Sequence, residues 1–227
     1  VSSETATLEL IYRQAFANGN LRVEAARSSD TLVDGPRRYL FAEGDFALSG
    51  DYQLSFDIEA TSDPAYLLDY GYSGKDRLDS AVGLLRVTDQ TLFETRLTYY
   101  ESLRDDETNS SLPPFIADIA YERRLTPAAG GRLDYRLSLD TAFRPSEADG
   151  DEGRDVTRAG AAISWGQTWV ARNGLVAEAQ GSAQADMFFV ADDSSFDQTN
   201  LRFVPAGNLT LRWPFAQRTG GGTQHVV

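Results

Sequence analysis

The chain has 227 residues, with 34 acidic against 21 basic side chains and a net charge of −13. At 41% hydrophobic residues and a mean hydropathy of −0.36, it holds no apolar run near the roughly 20 residues of a membrane-spanning helix, which excludes a helical membrane protein. The acidic balance argues against a nucleic-acid partner, which needs a basic surface to displace counterions. A transmembrane β-barrel stays open, because lipid-facing residues alternate with polar lumen residues and the average conceals the apolar face. With no cysteine, a disulfide framework or thiolate metal site is ruled out within these residues. Val1 is not a methionine and starts no basic or apolar leader, so a secretion signal is expected to have been removed or the chain to be a piece.

Alternation with period two runs through the chain. Over 5–16, Leu8, Leu10 and Tyr12 share one face and Thr7, Glu9 and Arg13 the other, with Ile11 the exception. Asn18-Gly19 reads as a hairpin turn, since both residue types tolerate positive φ. Leu21, Val23 and Ala25 then oppose Arg22 and Glu24, and a segment 37–48 follows a connection ending near Pro36. After a turn at 49–51, Leu54, Phe56 and Ile58 oppose Asp57 and Glu59. The stretch 64–80 joins this strand to the next; it is no helix by period, and Gly71, Ser73 and Gly74 punctuate it as a long loop.

A strand over 76–88 and a turn at Asp89-Gln90 lead to Phe93, Leu97 and Tyr99 opposite Glu94 and Arg96. Pro113-Pro114 bars regular structure in the polar connection 102–114. Next come Phe115, Ala117, Ile119 and Tyr121 opposite Asp118, then Leu133, Tyr135, Leu137 and Leu139 opposite Asp134, Arg136 and Asp140. Beyond an acidic loop at 144–155, a strand carries Ile163 and Trp165 opposite Arg158, a long one over 175–189 carries Glu178 and Asp186, and the last sets Leu209, Leu211 and Trp213 against Arg212.

The count is about eleven strands, many of the roughly 9–11 residues that cross a bilayer at a tilt. Connections are short near Gly19, Gly50, Asp89, Gly130 and Asn173, and long near Asp34, Asp69, Asn109, Asp149 and Asp193. Short turns on one rim and long loops on the other are the habit of outer-membrane barrels, the short set being periplasmic. Trp169 and Trp213 fall at the short-turn rim, and Tyr99, Tyr100 and Phe189 near the long-loop rim, as two interfacial girdles would require.

If the apolar faces meet lipid, then Arg22, Glu24, Asp57, Glu59, Glu94, Arg96, Asp118, Asp134, Arg136, Asp140, Arg158, Glu178, Asp186 and Arg212 face the lumen. A charge on the lipid face near the midplane costs about 2–4 kcal/mol, and a dozen would prevent insertion. No catalytic, cofactor or metal residue is expected. The single histidine, His225, excludes a histidine triad in the strands, the carboxylates converge on no one cleft, and the acidic loop 147–155 lacks the spacing of an EF-hand.

The wording of YLLDYGYSGKDRLDS at 66–80, YYESLRDDETNSSLP at 99–113, GRDVTRAGAAISW at 153–165 and LRWPF at 211–215 resembles the central barrel of the LptD (OstA/Imp) family of lipopolysaccharide-assembly proteins, over nearly the whole chain. The resemblance implies an all-β, antiparallel up-and-down barrel of about 26 strands in the Gram-negative outer membrane, not an enzyme, of which this chain is an arc. It implies an LptE-like plug lipoprotein, delivery of lipopolysaccharide from an LptA-like periplasmic bridge to the outer leaflet, and a periplasmic jelly-roll domain and gate strands lying outside residues 1–227. The charged wall then contacts the plug and the sugar and phosphate part of lipopolysaccharide, or is a solvated lumen laced by cross-strand ion pairs. A porin-like channel, an outer-membrane hydrolase and a soluble β-sheet binding module are the alternatives. An arc this short is expected to form an open sheet whose first and last strands do not pair.

Overall fold

The structure, a computed structural model, describes residues 5–31, 34–110, 112–214, 216–218 and 224–226. Strands β1 (Ala6–Phe16), β2 (Gly19–Ser29), β3 (Arg37–Ala47) and β4 (Tyr52–Thr61) precede a one-turn helix α1 (Tyr66–Asp69). Then follow β5 (Arg77–Val87), β6 (Thr91–Ser102), β7 (Phe115–Leu125), β8 (Arg132–Phe143), β9 (Asp155–Val170), β10 (Val176–Ala191) and β11 (Thr199–Arg212). The short strands β12 (Ala216–Arg218) and β13 (Gln224–Val226) form a separate antiparallel pair.

β1 to β11 form one sheet in strict chain order, every neighbour antiparallel. Among the described strands β1 hydrogen-bonds only β2 and β11 only β10, so Leu10 and Leu211 lie on opposite open edges. This up-and-down order without closure is that of an arc of a larger barrel. Short connections alternate with the long loops 30–36, 62–76, 103–114, 144–154 and 192–198, so all the long ones gather at one rim.

Continuous register puts the apolar members of the alternation on one face, and that face is bare. Leu10 is 57% exposed, Leu137 51% and Leu209 67%, whereas a soluble sandwich would bury this layer against a second sheet. An apolar surface this large is a contact surface, and lipid fits it. Among the described residues few apolar side chains are buried, and three of them, Leu67, Leu78 and Leu103, form a small cluster with Tyr39, Phe41 and Tyr72 packed against it.

Two local readings need correction. The loop at 64–80 contains α1, closed by Asp69 N–H to Ala65 O at 2.9 Å and Tyr70 N–H to Tyr66 O at 3.2 Å. A single turn is too short to display a 3.6-residue period, and Gly71 at φ +70° ends it. At the first hairpin the turn residues are Ala17 and Asn18, neither with positive φ, and Gly19 already pairs with Phe16. Glycine is needed there for close approach: a Cβ on Gly19 would lie 2.1 Å from the Asp45 carbonyl oxygen.

Candidate functional site

Cross-strand partners share a face, so the register alone sorts the charges. Arg22 stands beside Glu43 and Glu43 beside Asp57; Glu24 and Glu59 flank Phe41. Arg96, Asp118, Asp140 and Arg158 form one row across β6 to β9. Glu94 follows the parity of Arg96, Asp134 and Arg136 that of Asp140, and Glu178 and Arg212 that of Asp186. All fourteen charged residues singled out above therefore lie on one face, opposite the exposed apolar one. Tyr99, Trp169 and Phe189 lie on the apolar face, and the Trp213 indole N–H reaches the Asn173 carbonyl at 3.1 Å on the short-turn rim. Tyr100 differs: it pairs with Asp79 on the charged face, because adjacent residues of a strand point to opposite sides and it cannot share a girdle with Tyr99.

Most of the charges pair with one another. Arg22 reaches Glu24 at 2.6 Å and Glu43 at 3.2 Å; Arg136 pairs with Glu122 and Arg212 with Glu178. Asp134 takes Arg124 at 2.9 Å and Arg132 at 2.7 Å. The deepest group is Asp186, 1% exposed. It accepts from Arg158 at 2.6 and 2.9 Å, Arg202 at 2.7 and 3.0 Å and Gln184 at 3.0 Å, while Arg158 also reaches Asp140 at 3.2 Å. Gly160, its register partner, makes room: a Cβ there would meet Ser138 Oγ at 2.5 Å and Asp186 Oδ1 at 3.3 Å. In contrast, Asp57, Glu94, Arg96 and Asp118 make no hydrogen bond or ion pair with another described side chain.

Two caps stand at the long-loop rim, and the first closes over the charged face. Loop 62–76 lies on β1 to β4: the Tyr66 hydroxyl meets Ser28 at 2.7 Å, Tyr72 donates to Glu9 at 2.7 Å, Tyr70 donates to Asp30 at 2.8 Å, and Lys75 pairs with Glu59. Its anchor is Arg37, 1% exposed, which donates to Asp63 at 2.7 and 3.1 Å, Asp69 at 2.9 Å and Asp30 at 3.4 Å. Its guanidinium sits 5.1 Å from the ring centre of Tyr66 and 5.7 Å from that of Tyr70. Burial pushes the Asp63 carboxyl up, but the Arg37 pair, the Ser62 hydroxyl and the Tyr66 N–H together outweigh it and hold the group below its usual value. Burial and the Glu9 acceptor push the Tyr72 phenol well up. Sequence reasoning missed this cap, although the signal was there: Arg37, Tyr39 and Phe41 fall on the charged parity of β3, and bulky rings on a polar face call for a cover.

The second cap joins loops 144–154 and 192–198. Ser194 donates its N–H and its hydroxyl to Asp149, both at 2.6 Å, and Gly150 N–H meets the Asp192 carbonyl at 2.9 Å. Arg154 holds Asp193 at 2.6 Å, pairs with Asp151 and covers the Phe196 ring at 4.6 Å. The Ser194 donors hold the Asp149 carboxyl below its usual value. The Ser195 N–H, against burial and aided by Arg154, does the same for Asp193. The acidic loop thus commits these carboxylates to protein donors, and no group of three or more metal-ligating side chains gathers among the described residues.

Among known protein families, the one described as LptD, LPS transport system D, matches residues 35–226. A comparison with curated proteins finds no match.

Proposed function

Because the chain belongs to the LptD family, whose members transport and assemble lipopolysaccharide at the Gram-negative outer membrane, we propose that its eleven strands form the central wall of a translocon barrel inserting lipopolysaccharide into the outer leaflet. The observation that carries this reading is the separation of faces: fourteen charges on one side, an exposed apolar layer on the other. Only one orientation of such an arc is tolerable in a bilayer, with the apolar layer in lipid and the charges around an aqueous lumen. Long loops then lie outside the cell and short turns in the periplasm. Tyr99 and Phe189 mark the outer interface, Trp169 and Trp213 the inner one.

Further strands complete the wall beyond the unpaired edges of β1 and β11, since open edges in lipid leave backbone groups unsatisfied. An LptE-like plug sits in the lumen, and an LptA-like bridge delivers cargo through a periplasmic domain of the same protein. Of the four charges that make no hydrogen bond or ion pair with another described side chain, the three on β6 and β7, Glu94, Arg96 and Asp118, meet the plug and the sugars and phosphates in transit. Those already bound, such as Asp186, hold the wall.

The test reverses Glu94→Lys and Asp118→Arg together in the full-length protein in cells. Surface lipopolysaccharide and the copurifying plug lipoprotein should both fall, with heat-modifiability on gels unchanged. Normal delivery with normal plug retention would leave this face a passive, solvated wall.

A further inference from the structure

On the apolar face near the long-loop rim, an open groove of about 620 Å³ runs over β4 to β8, within the 300–1,000 Å³ range of ligand sites. Its floor is made of small residues, Ala117 and Thr141, and its walls of Leu97, Tyr99, Phe115 and Phe143. The Tyr99 and Phe115 rings meet at 5.0 Å. The walls stay open to a ligand: Leu97 is 55% exposed and Phe115 57%.

The charged residue that lines this groove is a cation, Arg144, at the rim end, in a chain of net charge −13. Its guanidinium donates to the Arg154 carbonyl, its Nε is buried without an acceptor, and it makes no ion pair among the described residues. The nearby carboxylate, Asp155, takes the Arg144 backbone N–H at 2.6 Å instead. Arg37, Arg154, Arg158 and Arg202 all have carboxylate partners. A half-buried guanidinium without a counter-ion, beside an apolar trough, is complementary to a lipid phosphate whose acyl chain fills the trough.

We propose that this groove binds the phosphorylated, multi-acyl lipid end of a lipopolysaccharide molecule already in the outer leaflet, with Arg144 on the phosphate and the chain lying along the row of Tyr99, Phe115 and Phe143. The site lies on the outer wall, away from the lumen, and rests on the reading above only in taking the long-loop rim as extracellular.

The experiment titrates purified lipid A into the detergent-solubilised full-length protein and counts bound lipids by native mass spectrometry. Arg144→Gln should weaken one bound lipid by about tenfold or more, Arg144→Lys should recover part of that, and lipid A stripped of its phosphates should bind the parent protein as weakly as lipid A binds Arg144→Gln. Ala117→Trp, which fills the floor, should remove the same lipid. If Ala117→Trp fails to fold, the arginine series and the stripped lipid still decide. Unchanged stoichiometry and affinity in Arg144→Gln would overturn the proposal, as would phosphatidylglycerol binding as tightly as lipid A. Labelling of Ser146→Cys in intact cells separates the premises. If the cysteine cannot be labelled from outside, both the topology and this site fall; if it can and the lipid count does not respond, the site alone falls.

Discussion

Arg37→Met removes one cation from among three carboxylates while keeping most of its length. Arg37 donates to Asp63 at 2.7 and 3.1 Å and to Asp69 at 2.9 Å, and the Asp30 side chain beside it is 1% exposed. Charge-assisted hydrogen bonds contribute about 1.5–3 kcal/mol each, though the Asp69 pair counts for less because that carboxylate is 41% exposed. Removing one partner of a buried ion pair costs about 3–5 kcal/mol, since the other charge is left uncompensated. Docking of loop 62–76 should therefore weaken by about 3–5 kcal/mol, roughly a hundred- to several-thousand-fold. The assay is hydrogen exchange on the full-length protein. The Tyr70 and Tyr72 amides bond within the loop to Tyr66 and Leu67 and should lose protection by that factor, whereas β9 and β10 amides keep theirs. Arg37→Lys should fall between, keeping charge but losing the fork that spans Asp63. A change under about threefold, or an equal loss across β1 to β3, would show that Arg37 does not hold the loop in the way these contacts require.

Leu137→Arg, on the bare apolar face, should cost about 2–4 kcal/mol of folding into vesicles, while Ser138→Arg next to it on the charged face should be tolerated; equal effects would refute the assignment of faces. Asp186→Asn should remove the charge that Arg158 and Arg202 share, turn one of its two acceptor oxygens into a donor NH2 facing a guanidinium, and lower the thermal midpoint by several degrees, whereas Asp57→Asn, which has no hydrogen bond or ion pair with another described side chain, should leave it unchanged. For acid, the sign follows from the depressed carboxyls Asp63, Asp149 and Asp193: each binds a proton more weakly docked than free. Their contribution is complete above the usual value of 3.8 and is lost as pH falls through the lower docked values. Exchange corrected for intrinsic rates should show both caps closed at pH 5 and 7 and loosening only below about pH 4; loosening between 5 and 7 would assign the caps to other groups.

What the sequence discloses is set by how local each feature is. Strand faces and the alternation of rims follow from period two and turn residues, both contained in about ten neighbouring positions, which is why even the exception at Ile11 falls on the charged face beside Glu24. The caps are otherwise. Tyr72 meets Glu9 across 63 positions, Tyr70 meets Asp30 across 40 and Arg154 meets Asp193 across 39, and no short window contains such pairs. Arg202 is hidden in the sequence for a related reason: it lies early in β11, ahead of the Leu209 and Leu211 alternation that marks the strand, and its role appears only once Asp186 is seen across the ladder.

The pairing pattern divides the charged face into two kinds of surface. Asp186 already accepts five N–H donors, two each from Arg158 and Arg202 and one from Gln184, so it has little left to offer a passing sugar. The caps are as fully committed, one around Arg37 over β1 to β4 and one around Arg154 over the loops beside β9 to β11. Between them β6 and β7 carry Glu94, Arg96 and Asp118, which, like Asp57 on β4, make no hydrogen bond or ion pair with another described side chain. A wall that must hold its shape while an amphipathic cargo slides past it faces opposed demands, since bound charges rigidify and free ones can exchange partners. Putting them in different sectors meets both. Substitutions around Arg37, Arg154 and Asp186 should accordingly move stability ahead of transport, and substitutions at Glu94, Arg96 and Asp118 should move transport ahead of stability.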